Sequence, residues 1–465
     1  MTEPSTSARR PAAHASLRAA REWLATGRAS ATALAEQALR AAETARHTVN
    51  AFAAIDWDRA LKAAADSDRR LAEGVARPLE GLPIAVKDLI DTRGIETRYG
   101  SPAYMGHVPA ADADIVKALT AQGAIVIGKT TTHEFAWGVT TASERFGNTL
   151  NPLDRSRIPG GSSGGAAAAI ACGAVLGGVG TDTGGSVRIP AALCGVTGFK
   201  PTFGTFSAHG VFPLAPTCDH VGLLGRHVDD VRLMAGALGI ESPDSDAWLS
   251  ARLGVIREIA PVPLSAEVGA AFDGAVQRLA QTFSCVPVEA AAVFDGAFAA
   301  FAGIVLMEGG IEHFRRSDWT HIAASYGAET VDRLSRARTM DLAAYASAQQ
   351  GRRQLAERLH AAMAAVDYLV LPTCPCVAPH LDHDTVGIGA WSGTVREALM
   401  TYTAPFNLAG YPAISLPLAA RPGQLPAALQ IVAKPGDDGA LLQIAHQMAA
   451  LLAAGADVEA GPACV

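Results

Sequence analysis

Lys87, the run Gly160-Gly161-Ser162-Ser163-Gly164-Gly165 and the run Thr183-Gly184-Gly185-Ser186 hold the parts of a serine hydrolase that needs no histidine. A serine hydroxyl is a weak nucleophile and requires a base. Two glycines ahead of a serine let backbone approach a reacting atom with no Cβ in the way. They also leave successive N–H groups free to point one way, as a nest for an oxyanion. Ser186 therefore reads as the nucleophile, and the N–H groups around Gly184, Gly185 and Ser186 as its oxyanion donors. Each such donor lowers a barrier by about 2.7–4 kcal/mol. Lys87 can act as the base only when neutral. Moving a lysine from about 10.4 to near 7 costs roughly 4–5 kcal/mol, which burial away from carboxylates supplies. Ser162 can bridge Lys87 to Ser186 and relay the proton. Singly, these features read as a solvated lysine and flexible turns. Their conjunction points to cleavage of an acyl bond, an amide before others.

The elements that must position these groups are visible as patterns. Leu82-Pro-Ile-Ala-Val-Lys87-Asp-Leu-Ile reads as a buried strand ending at the lysine, so alternation sends Asp88 to the opposite face. The stretch 162–181 is uncharged and as long as a bilayer span. Its glycines favour a catalytic loop, a buried Ala-rich helix over about 165–173 and a short strand instead. Two short amphipathic helices are expected within 16–46, and further helices over 58–73 and 113–122. A β-branched strand is expected at 124–128. This alternation argues for an α/β sheet covered by helices on both faces. The chain then reads as helical from Asp229 to about Met363. Strands return at 367–372, 413–417 and 424–432, and a closing helix over 439–454. The segment 375–391 reads as a surface loop. The expected organisation is one domain: a helical lead over 1–75, a core over 76–228, a mainly helical insert over 229–365, and C-terminal strands and helix over 366–465.

Bulk properties exclude several functions. The 465 residues are 49% hydrophobic and 18% charged, enough for a large core. A net charge of −7 gives no basic footprint for nucleic acid, and no Lys/Arg cluster suggests an anionic membrane surface. The seven cysteines are scattered, which reads as a reduced cytoplasmic protein. Arg9 and Arg10 precede no apolar stretch, so no signal peptide is expected.

Some motifs are decoys. Gly123-Ala-Ile-Val-Ile-Gly128-Lys129-Thr130 matches the P-loop pattern, but its intervening residues read as a buried strand, with Lys129 ending it. His133-Glu134 lacks the second histidine of a zincin. His380, Asp382, His383 and Asp384 read as a solvated loop rather than a metal site. Thirteen histidines leave a Ser–His–Asp triad open by count, yet Gly184-Gly-Ser-Val-Arg188 is not a nucleophile elbow. Arg188 reads first as the partner of Asp182, holding the loop, and second as an anchor for a substrate carboxylate.

The run Pro159-Gly-Gly-Ser-Ser-Gly-Gly-Ala followed by Gly180-Thr-Asp-Thr-Gly-Gly-Ser-Val-Arg-Ile-Pro-Ala191 closely resembles the amidase signature family. So do Gly81-Leu-Pro-Ile-Ala-Val-Lys-Asp88, Gly195-Val-Thr-Gly-Phe-Lys-Pro201, Asn407-Leu-Ala-Gly-Tyr-Pro-Ala413 and Leu425-Pro-Ala-Ala-Leu-Gln430, in the expected order over most of the chain. The resemblance implies a large, twisted, mixed central sheet with helices on both faces. It implies a Ser–cis-Ser–Lys triad: Ser186 as nucleophile, Ser162 bridging on a cis peptide, Lys87 as base. Thr183, Gly184, Gly185 and Ser186 would form the oxyanion hole. Around Glu134-Phe-Ala-Trp-Gly-Val-Thr140 the chain resembles small-amide hydrolases of the biuret type. Specificity is then expected from Trp137, Glu308, His313 and Tyr402, with Ser163 and Arg188 nearer the nucleophile. The implied activity is that of an amidohydrolase acting on a small amide or urea-like molecule, without metal or other cofactor, nucleic acid or membrane; a homodimer is left open. The alternative is the glutaminase component of a tRNA-dependent amidotransferase. That subtype carries an acid shortly before its Thr-x-Pro-x-Asn run, and Leu399-Met-Thr-Tyr-Thr-Ala-Pro405 has none.

Overall fold

A computed structural model describes residues 16–243, 246–420 and 423–453. Arg9, Arg10, Cys464 and the final residue of the expected closing helix lie outside that range. Its strands are β1 (Phe52–Ile55), β2 (Pro83–Lys87), β3 (Ile125–Thr130), β4 (Gly177–Asp182), β5 (Thr197–Lys200), β6 (His220–Gly225) and β7 (Arg252–Val255). They continue as β8 (Ser284–Pro287), β9 (Tyr368–Pro372), β10 (Thr385–Ile388), β11 (Trp391–Thr394), β12 (Ala413–Pro417) and β13 (Ala428–Val432). Eleven form one sheet in the order β1-β3-β2-β4-β6-β5-β12-β13-β9-β7-β8. It is mixed: β2 runs parallel to β3 and β4, and β7 to β8 and β9, while β4–β6, β5–β12 and β12–β13 are antiparallel.

Strand alternation sorts the apolar side chains into two cores. Val370, Ile414 and Ile431 pack in one; Leu369, Leu371 and Val432 pack in the other. The first core takes the helices Leu17–Ala25, Ala31–Val49, Ala266–Leu279 and Asp438–Ala453. The second takes Ala297–Phe314, Leu342–Ala364 and Val395–Thr401. Local rules set the ends. Ser16 and Ser30 cap their helices by accepting from the N–H of Ala19 and Ala33, and Asn50 closes the second in a left-handed conformation at φ 53°. Helix Ala31–Val49 buries Leu34, Ala35, Ala38, Leu39, Ala42 and Ala45, the spacing of one helical face.

The expected buried helix is Gly164–Ala171, and all eight of its residues are buried in the protein core. The span 229–365 departs from expectation by contributing β7 and β8 to the sheet edge. The expected loop 375–391 contains β10 and the start of its hairpin with β11. One helical run, Ala290–Phe314, is long and apolar enough to cross a bilayer. In the fold it is interrupted at Asp295–Gly296, and Phe301, Ile304 and Val305 of its second part are buried in the second core. Among the described residues Cys194, Cys218, Cys285, Cys374 and Cys376 are free thiols.

Candidate active site

Parallel pairing of β2 with β4 brings Lys87 and Thr181 to the same end of adjacent strands, where α/β sheets commonly bind ligands. Lys87 is fully buried. Its Nζ lies 2.7 Å from Oγ of Ser162 and 2.7 Å from Oγ1 of Thr181. Burial pulls the lysine down to about 7, against the opposing pull of Asp182 and Asp219. Asp88 turns away, as alternation requires, and lies 3.8 Å from Lys129 on β3. Lys129 itself is buried and donates to Thr97 Oγ1 at 2.8 Å and to the Ile90 carbonyl. The P-loop look-alike is therefore a core strand with its lysine committed internally.

Ser162 follows a cis Gly161–Ser162 peptide bond and precedes helix Gly164–Ala171. The Ser163 N–H donates to the Ser186 carbonyl at 3.2 Å, tying the two serine loops together. Ser186 is buried, just ahead of helix Arg188–Cys194. The N–H groups of Thr183, Gly184 and Ser186 have no acceptor among the described residues. Gly185 differs: its N–H donates to Asp182 Oδ1 at 2.7 Å. The geometry thus removes Gly185 from the expected oxyanion donors and leaves the other three. Both glycines are required by space. A Cβ on Gly184 would stand 2.3 Å from Phe301 Cζ, and one on Gly185, at φ +129°, 2.2 Å from Thr403 Oγ1.

Asp182 sits next to Thr181 but on the opposite face, and it organises the loop. It accepts from the N–H groups of Gly185 and Val187 and from Asn407 Nδ2, and it pairs with Arg188 at 2.9 Å. Burial pushes its carboxyl up, but the Arg188 charge and hydrogen bonds outweigh that and hold it well below the usual carboxylate range. Arg188 is fully buried. Its guanidinium is spent on Asp182, the Thr403 carbonyl, Gln430 and Asn407. Arg188 therefore braces the loop that carries Ser186 and has no N–H left for a substrate carboxylate.

The other expected specificity residues are likewise committed. Tyr402 donates to the Val262 carbonyl at 2.7 Å and accepts from Ile259 N–H. Ser163 Oγ donates to the Thr181 carbonyl at 3.2 Å. Glu308 accepts from Thr217 Oγ1 at 2.7 Å and Tyr345 OH at 3.1 Å. Trp137 donates its indole N–H to His313 Nε2 at 3.1 Å; burial, helped by the Arg316 charge, pushes His313 down to about 3. These side chains shape the packing behind the site.

Three residues beyond the expected set matter. Thr181 is the second partner of Lys87. Asp219 accepts from Thr183 Oγ1 at 2.6 Å and from the Leu214 and Ala215 N–H groups, so it fixes the start of the oxyanion loop; burial pushes its carboxyl up. Asn407 links Asp182 to Arg188. Thr181 was not singled out from the sequence; the pairing of β4 with β2 is what brings it to Lys87. Asp219 carried no local signal. A cavity of ≈ 360 Å³ opens here, lined by Thr181, Thr183, Asp219, Leu89 and Phe212 among others. Among the described residues no group of three or more His, Cys, Asp and Glu side chains could hold a metal ion.

Residues 33–442 match the family model for amidases. The chain is 35% identical to a glutamyl-tRNA(Gln) amidotransferase subunit of Roseiflexus sp. (strain RS-1), over 91% of this chain and 94% of that one. It is 32% identical to the corresponding protein of Koribacter versatilis (strain Ellin345), over 92% and 96%. A crystal structure of an amidase matches it with a TM-score of 0.86 at 34% identity, covering 94% of this chain and all of that one.

Proposed function

The chain belongs to the amidase family, and we propose that it works as a free-standing amidohydrolase on a small carboxylic amide or urea-like C–N bond. One observation carries the assignment of roles: a fully buried lysine, brought to about 7, placed 2.7 Å from the Ser162 hydroxyl. Neutral Lys87 takes the Ser162 proton as Ser162 takes that of Ser186. Ser186 Oγ attacks the amide carbon, and the oxyanion is held by the N–H groups of Thr183, Gly184 and Ser186. The proton returns through Ser162 to the leaving nitrogen, which departs as ammonia or a small amine. Water then adds to the acyl-enzyme through the same relay, releasing the acid and restoring Ser186. The reaction needs no cofactor, and the chemistry is that of a cytoplasmic small-molecule hydrolase.

An ammonia-release screen over aliphatic, aromatic, carboxylated and urea-like amides tests this reading. Wild type should release ammonia and Ser186→Ala should not. Activity that survives the substitution would rule out Ser186 as nucleophile. The names of the relatives favour one second reading, that of a glutaminase working inside a larger complex. It predicts glutamine hydrolysis only when partner chains are added, and no turnover of simple amides alone.

A further inference from the structure

The cavity that Thr181 and Thr183 line has two unlike ends. Thr181, which meets Lys87, and Thr183, which opens the oxyanion loop, are buried. Arg316, which lines the same cavity, is exposed. Between them Leu89, Val211 and Phe212 offer an apolar wall. The guanidinium carbon stands 5.1 Å from the Phe212 ring centroid, a cation–π contact. The guanidinium donates to Glu312 at 2.5 Å, but Arg315 shares that carboxylate at 3.6 Å. Nη1 of Arg316, which makes that contact, also donates to the Glu312 carbonyl at 2.6 Å, so Nε and Nη2 of Arg316 are left without an acceptor among the described residues. The acid in this cavity, Asp219, lies at the catalytic end, with its oxygens occupied by Thr183, Leu214 and Ala215.

We propose that the cavity selects amides whose acyl group is a short apolar chain ending in a carboxylate, with Arg316 as the specificity-determining cation. The proposal rests on the amidase reading and narrows its substrate class. It moves to Arg316 the carboxylate-anchoring role that the sequence offered to Arg188, whose donors are all spent. The acid inside and the cation outside also orient the substrate, since a carboxylate is repelled from Asp219 and held at the mouth. A guanidinium suits that task because its paired N–H groups match a carboxylate.

The test compares kcat/KM on three chain-matched amides: valeramide, glutaramate (the monoamide of glutaric acid) and 5-aminovaleramide. Wild type should prefer glutaramate to valeramide by about tenfold, the size of one charge-assisted contact. Arg316→Gln should bring that ratio near one. Arg316→Glu should reverse it and favour 5-aminovaleramide. Glu312→Gln, which removes the carboxylate charge that competes for Arg316, should raise it. Turnover of valeramide with no glutaramate preference overturns the proposal, as does a preference that survives Arg316→Glu. The amidase reading fails separately, by ammonia release from none of the three or by activity that survives Ser186→Ala.

Discussion

In the proposed relay Lys87 takes a proton only when it carries none, so its setting would decide the pH range of activity. Its close partners are two hydroxyls, and the carboxylates that act on it do so at longer range and only partly offset burial. The protonated fraction of the free enzyme rises as pH falls through about 7, and the competent base is lost in that direction. We expect kcat/KM to climb tenfold per pH unit on the acid side, bend near 7 and level above it. A profile flat down to pH 5 would count against a neutral-lysine base. The same shift has a sign for stability. The unfolded chain holds this proton up to about 10.4 and the folded chain only to about 7. Unfolding therefore takes up a proton between those values, and this group's contribution to stability improves as pH rises from 7 toward 10.

At the scale of elements, the oxyanion loop is clamped from several directions. Asp182 holds it from β4, Thr403 donates Oγ1 to the Gly184 carbonyl at 2.6 Å, and Asp219 holds Thr183 from the start of β6. Helix Ala297–Phe314 closes the remaining side by pressing Phe301 against Gly184. A distant helix thus packs against one of the proposed oxyanion donors. Gly184→Ala places a Cβ 2.3 Å from Phe301 Cζ and 2.5 Å from Met400 Cε, so loop or ring must shift. We expect kcat to fall about a hundredfold, the loss typical of one misplaced oxyanion donor. Adding Phe301→Leu removes the nearer of the two colliding groups, leaving Met400, and should recover about tenfold of that loss. A double variant no faster than Gly184→Ala would show that the contact with Phe301 is not the cause. Steady-state kinetics of the two variants decides it.

At the scale of the whole molecule, what the sequence disclosed depended on burial. β2, β12 and helix Gly164–Ala171 are buried almost throughout, and their apolar runs stand out. β7 (Arg-Leu-Gly-Val) and β8 (Ser-Cys-Val-Pro) are four residues each at the sheet's edge and carry no such run. β5 and β12 pair across more than two hundred residues of chain, a contact without local trace. Half of the residues of the hairpin β10–β11 are exposed and only Ile388 is buried, so its composition is that of a loop. The motif residues were readable because their types are rare in combination. Arg188 was readable only as a pair of alternatives, and its partners Gln430 and Asn407, both far along the chain, decide between them. The span 229–365 then acquires a role that a helical insert would not have. It completes one edge of the sheet through β7, which pairs with β9, and it supplies Phe301 behind Gly184 and Arg316 at the cavity. Removing an independent insert and joining its ends would leave a smaller working enzyme. Removing this segment exposes the β9 edge and opens the second core. We expect a chain with 229–365 replaced by a short Gly-Ser linker to be insoluble or to lack native far-UV circular dichroism, and to release no ammonia. A soluble, folded and active deletion variant would show instead that the sheet and the site stand without this segment.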